Sequence, residues 1–141
     1  MVKQKKWGLY WLLLVTALAV HVVDEALTGF LPLWNQLAGQ ARSNFTWLPL
    51  PVFTFRGWLG GLVTGVLLLL AISPMLFQGR TGLRPLAYFF SVLMILNGAA
   101  HIAVSLLWAR LAPGVISAPL LIVFGLLLFS GTRAMTRQAE P

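Results

Sequence analysis

The chain contains no cysteine. Disulfides and thiolate metal sites are therefore excluded, and no redox compartment is written in the sequence. Charge is almost as scarce, at 9% of the 141 residues. Acidic charge is scarcest, with three carboxylates against ten basic side chains. A soluble domain of this length needs far more polar surface to cover itself, so the composition excludes one. The net charge of +7 would suit a nucleic-acid partner, but the basic residues stand at the ends of apolar runs, where membrane topology puts them. What the chain has in abundance is apolar surface: 59% of its residues are hydrophobic and its mean hydropathy is +0.87.

About 20 apolar residues cross a bilayer as a helix. Three uncharged runs are long enough: residues 57–79, 85–109 and 111–132. A fourth run, 7–20, is too short alone and becomes a span only by continuing through His21, Asp24 and Glu25 to about Leu27. The expected fold is all-α: a polytopic membrane protein in one domain over 1–141, a four-helix transmembrane bundle. Its spans are expected at about 7–28, 57–78, 84–109 and 114–133, with a long outer loop, 29–56, between the first two. Lys3, Lys5 and Lys6 before an apolar stretch resemble a signal peptide, with Ala17-Leu18-Ala19 as a cleavage-like site. The expectation is instead an uncleaved span, because His21 and its neighbours suit the inside of one.

Basic residues orient the bundle. With both termini cytoplasmic, seven lie inside (Lys3, Lys5, Lys6, Arg80, Arg84, Arg133, Arg137) and three outside (Arg42, Arg56, Arg110). With this orientation the chain is expected in a cytoplasmic, or inner, membrane. Residues 79–83 and Leu111-Ala112-Pro113-Gly114 read as tight turns. The long connection holds aromatics, three prolines and few charges. It predicts a short interfacial helix near 34–41 and an extended stretch at 48–53, with Trp34, Trp47 and Trp58 in the headgroup zone. It is either a loop anchored by aromatics or a lid over a cavity. Asn44-Phe45-Thr46 is a formal glycosylation sequence of a kind that is frequent by chance. Gly57, Gly61 and Gly65 are four apart and make a flat stripe suited to helix packing, including a homodimer face.

Apart from Glu140, the acids are Asp24 and Glu25, and one of the two histidines, His21, stands just before them, two valines away, in "HVVDE". Positions 21, 24 and 25 share a helical face, as do Asn97 and His101 on the third span. The two spans run in the same direction, so both clusters arrive at similar height towards the outer end. A carboxylate turned to lipid costs a few kcal/mol, so these groups are expected to face the bundle interior and meet in one pocket. The bland alternative keeps Asp24 and Glu25 solvated at the headgroup boundary and pairs His101 with Asn97 or Ser105.

These residues resemble the HXXEE family of small bacterial membrane proteins. "HVVDE" is similar to its signature, with Asp24 in place of the first glutamate. "FLPLW" (residues 30–34) resembles its proline-tryptophan segment, "NGAAH" (97–101) its second histidine with a preceding asparagine, and "APGVISA" (112–118) its Pro-Gly turn into the last helix. The resemblance runs over about residues 15–125 and implies a helical membrane domain with a His/acid site. It supplies no reaction.

Three classes of function follow. His21, Asp24, Glu25, Asn97 and His101 are candidate catalytic residues of a membrane-embedded enzyme. Burial disfavours the charged form of an acid, and a neighbouring histidine completes a proton donor–acceptor pair. That suffices for a double-bond isomerisation or cyclisation of a lipid or isoprenoid, an arrangement analogous to membrane sterol isomerases. A metal variant uses His21, Glu25 and His101 as ligands of zinc or iron, with Asp24 or Asn97 behind them. The second class is a proton-coupled transporter or a binder of a lipid, quinone or pigment. The third is an accessory membrane subunit whose polar cluster joins helices, although such contacts contribute only about 0.6 kcal/mol each.

Overall fold

The computed structural model describes residues 2–137, with side chains from Gln4 onward. Glu140 and the side chain of Lys3, which enter the charge reading above, lie outside the described residues. The described residues form five α-helices and no strand: α1 Val2–Thr28, α2 Phe30–Asn44, α3 Phe55–Phe77, α4 Arg84–Leu107 and α5 Ala118–Thr136. A single 3-10 turn, Thr81–Leu83, joins α3 to α4. Four helices, α1, α3, α4 and α5, are long and apolar enough to cross a membrane. The protein is an all-α integral membrane protein.

The helix boundaries follow from local chemistry. α1 ends at Gly29, which takes the left-handed conformation at φ 83°, and the chain turns at once into α2. Pro32 falls in the first turn of α2, where its missing N–H costs nothing. The long connection is therefore helical from Phe30 to Asn44, further than the predicted 34–41. The chain then returns through residues 48–54 without regular secondary structure. Asn35 pins this stretch: its Nδ2 donates to the Phe53 carbonyl at 2.9 Å, and its Oδ1 accepts from the Phe53 N–H at 3.0 Å. Trp34 Nε1 donates to the Pro51 carbonyl. Thr54 caps α3 by accepting from the Gly57 N–H. The last span begins at Ala118 rather than near 114, because residues 113–117 turn through Gly114 at φ 79° before Ser117 starts α5.

α1 is the central helix. Its buried stripe runs Trp7, Trp11, Leu14, His21, Glu25, at three- or four-residue steps bridged by half-buried Leu18. The indole N–H of Trp7 donates to Thr132 Oγ1 (2.9 Å) and that of Trp11 to the Leu69 carbonyl (3.1 Å), so both rings are buried without an unmet donor. α1 packs against α3 on one side and α5 on the other, and α5 packs along α4. The spans thus form an arc in the order α3, α1, α5, α4, with α3 and α4 at its ends.

α4 and α5 approach each other closely through glycine. A Cβ on Gly98 would lie 2.7 Å from the Ala118 carbonyl oxygen, and one on Gly125 would lie 2.7 Å from Ile95 Cγ1 and 3.1 Å from the Ser91 carbonyl oxygen. Small residues here let the backbones close. The stripe singled out from the sequence behaves differently: Gly61 and Gly65 meet nothing within 4 Å, and Gly57 meets only its own cap, Thr54.

Candidate functional site: a His–Glu–His cluster at the end of an apolar cleft

The polar residues of α1 and α4 continue the stripes that build the core. His21 and Glu25 extend the α1 stripe that begins at Trp7, and His101 extends the buried α4 series Ala87, Phe90, Met94, Gly98. Because α1 and α4 both pack antiparallel to α5, they run parallel, and the two stripes end at the same height. His21, Glu25 and His101 are 1%, 5% and 8% exposed. Glu25 Oε1 stands 3.2 Å from His101 Nε2 and 3.5 Å from His21 Nε2. The imidazole rings meet edge-on with centroids 4.7 Å apart.

The outer nitrogens of both rings are committed. His101 Nδ1 is hydrogen-bonded to the Pro113 carbonyl. A carbonyl only accepts, so Nδ1 carries the proton. His21 Nδ1 lies 2.8 Å from Ser117 Oγ. That hydroxyl gives its own hydrogen to Asp24 Oδ2 at 2.7 Å, so it accepts from His21 Nδ1–H. Asp24 Oδ2 also accepts the Ser117 backbone N–H at 2.9 Å, which makes it a cap on the start of α5 supplied by another helix. The result is two histidines oriented alike: Nδ1–H faces outwards to a fixed acceptor, and Nε2 faces Glu25.

Four of the five residues singled out from the sequence are thus joined in one network, but Asp24 enters it at one remove. It shares the face of His21 and Glu25, yet its carboxylate holds Ser117 and the α5 turn. Asn97 lines the cavities on both sides of the cluster, and its Oδ1 is buried without a partner among the described residues. The alternative pairing of His101 with Ser105 through its ring is not the arrangement found. Ser105 Oγ donates to the His101 backbone carbonyl and accepts from the Ala112 N–H.

Sequence reasoning missed three contributors: Ser117, the Pro113 carbonyl and Gly114. A Cβ on Gly114 would sit 2.8 Å from His101 Cε1 and 3.0 Å from His21 Cε1, so the turn touches both rings at a place where only hydrogen fits. A hydroxyl at the start of an apolar span was the one signal available for Ser117.

Two cavities flank the cluster. The larger, about 560 Å³, lies between α3 and α4 over α1, with His21 and Glu25 at one end and Leu68, Phe89, Leu93 and Met94 among its walls. Leu68 and Phe89 are 63% and 65% exposed, so the cleft opens sideways at the depth of the spans. The smaller, about 250 Å³, lies between α2 and α4 and reaches His101. Phe30 of α2 stands against both His101 and Trp58, with ring centroids 5.6 and 6.1 Å away, and covers the cluster from the α2 end.

Compared with family models, curated proteins and solved structures, the chain matches none. The reading of the site rests on its geometry.

Proposed function

We propose that this protein binds a lipophilic molecule in the cleft between α3 and α4 and transfers a proton at that molecule's polar or unsaturated end, as an isomerase or cyclase of a lipid or isoprenoid does. The observation that carries this reading is the cleft itself. Its walls are apolar along their length, and the cluster of His21 and Glu25 stands at one end. A volume of about 560 Å³ lies within the usual range for sites holding a small organic ligand. A side opening suits a ligand that arrives from the bilayer rather than from water.

Each residue has a part. Glu25 exchanges a proton with the ligand, the two Nε2 atoms beside it share or relay that proton, and Asn97 offers its free oxygen to a polar group. Phe30 and the apolar walls exclude water, which keeps a reactive intermediate from being quenched. The excess of basic residues at the α3–α4 turn and the two termini supports a cytoplasmic side there, with α2 outside. The resemblance of residues 15–125 to the HXXEE family accords with a His/acid membrane site.

The test is mass spectrometry of the apolar molecules that purify with the chain in mild detergent. One species retained by the wild type is expected to be lost from Gly65→Leu, which fills the cleft wall at a position with free space around it. Incubated in deuterated water, the wild type is expected to place deuterium in that molecule and Glu25→Gln is not. Retention of no specific molecule sinks the binding reading; equal exchange with Glu25→Gln sinks the proton transfer.

A further inference from the structure

We propose that His21, Glu25 and His101 form a divalent-metal site for a zinc-like ion in four-fold coordination, with the fourth position left for a water or for the polar end of a ligand. The inference uses the same three side chains as the proposed function but does not depend on a lipophilic molecule in the cleft.

The spacing comes first. Zinc bonds of about 2.0–2.2 Å to nitrogen and oxygen place the ligand atoms of a tetrahedron about 3.3–3.6 Å apart, whereas an octahedron of the same bonds needs about 2.8–3.1 Å. The two Nε2–Oε1 distances are 3.2 and 3.5 Å. One ligand atom from each of the three residues lies within 4.8 Å of the others, wider than a tetrahedral edge, so the two imidazoles have to turn closer together to complete the set.

The orientation of the rings is the second observation. Metal-bound histidines donate their other ring N–H to a carbonyl, a carboxylate or a hydroxyl held by one. Here His101 donates Nδ1–H to the Pro113 carbonyl, and His21 donates it to Ser117, itself held by Asp24. This leaves two Nε2 lone pairs and a carboxylate oxygen aimed at one point. A proton resolves only part of that conflict. Placed on His101 Nε2, it makes the 3.2 Å contact a hydrogen bond and leaves His21 Nε2 unpaired. His21 is 1% exposed, and its Nε2 has no hydrogen-bond partner among the described residues. Protons on both rings would set two imidazoliums edge-on around a single carboxylate. One divalent ion satisfies all three atoms at once.

Charge is the third. Asp24 and Glu25 are the two acids of the spans; Glu25 faces Nε2 of His21, and Asp24 is linked to its Nδ1 through the Ser117 hydroxyl. One divalent cation neutralises both, which matters where no bulk water screens the excess. A water on that ion can also give up a proton near neutral pH. It would then handle the proton of the proposed chemistry while Glu25 serves as ligand. The orphaned Oδ1 of Asn97 is available to receive a hydrogen bond from it.

The test uses the full chain in detergent. Elemental analysis of protein purified without chelator is expected to find about one zinc-like ion per chain. After stripping, cobalt(II) is expected to give the intense visible bands of a four-coordinate site. Glu25→Gln and His21→Ala are expected to lower zinc affinity at least about tenfold, and Ser117→Ala, which keeps all three ligands, about 10–100-fold. Wild-type protein that purifies without metal and binds zinc no more tightly than Glu25→Gln overturns the inference, as does a six-coordinate cobalt spectrum. The wild-type spectrum needs no variant, so misfolding of a variant does not hide the answer. Apolar molecules are measured in the same preparations. A retained lipid without metal leaves the proposed function standing and this inference lost, and metal without a retained lipid does the reverse.

Discussion

At the scale of single residues, the site depends on groups that do not face the cleft. Ser117 accepts from His21, donates to Asp24 by its hydroxyl and gives Asp24 its backbone N–H. Ser117→Ala leaves a buried ring N–H without an acceptor and removes one of two donors from a carboxylate. Each buried orphan costs about 1–3 kcal/mol, so a fall in stability of about 2 kcal/mol is expected, read as a lower midpoint of thermal unfolding in detergent. Gly114→Ala is expected to act differently. A methyl group there meets both imidazoles at 2.8–3.0 Å, and the backbone at φ 79° is strained for any residue with a Cβ. The rings must move apart, so metal loading and deuterium exchange are expected to fail even where the helices still form. Sequence spacing located His21, Glu25 and His101 because helical period alone puts them on inward faces. It did not reveal Ser117 as the direct partner of Asp24, since i, i+3 and i+4 share a face without touching the same partner. The Pro113–Gly114 turn was legible but its contact with the two rings was not, because a backbone atom becomes a ligand's support only through tertiary approach.

At the scale of elements, what matters is which helices touch. The GxxxG spacing on α3 pointed to a close helix contact, but the small-residue contacts that close are on α4 and α5, where single glycines face the partner's backbone. Spacing shows that a flat face exists; it does not say whether a neighbour occupies it. Two alanine substitutions separate the cases. Gly98→Ala places a methyl 2.7 Å from the Ala118 carbonyl oxygen, which cannot move without separating the helices, and is expected to destabilise by about 1–3 kcal/mol. Gly61→Ala meets nothing within 4 Å and is expected to be neutral, or to stabilise by up to about 1 kcal/mol through better helix propensity. Thermal unfolding of the two variants in one detergent checks both signs. If Gly61→Ala instead proves costly and converts a dimer to a monomer on sizing, the stripe is a subunit contact. The same scale explains why α2 exceeded its prediction: one left-handed glycine suffices to end α1, and a proline within the first turn leaves the rest of the helix intact.

For the whole molecule, the apolar runs made the four spans legible, because each needs about 20 uncharged residues and the chain marks most of their ends with lysine or arginine. The order around the arc was not legible. Consecutive spans are expected to be neighbours, yet α3 and α4, joined by the shortest connection, stand at opposite ends and leave the cleft between them. That opening depends on packing against α1 and α5, which no local pattern encodes. Orientation in the membrane remains a matter of charge, and the absence of cysteine makes it simple to measure. Gly39 on α2 and Gly82 in the α3–α4 turn are both exposed with free space around them, and they lie at opposite ends of the bundle. Introduced singly, Gly39→Cys is expected to react with a membrane-impermeant maleimide on intact cells, and Gly82→Cys only after the membrane is broken. The reverse pattern would put the cluster of histidines near the cytoplasmic face. The cleft and its polar end would be unchanged, but any water or ion reaching His101 past Phe30 would then come from inside the cell rather than from outside.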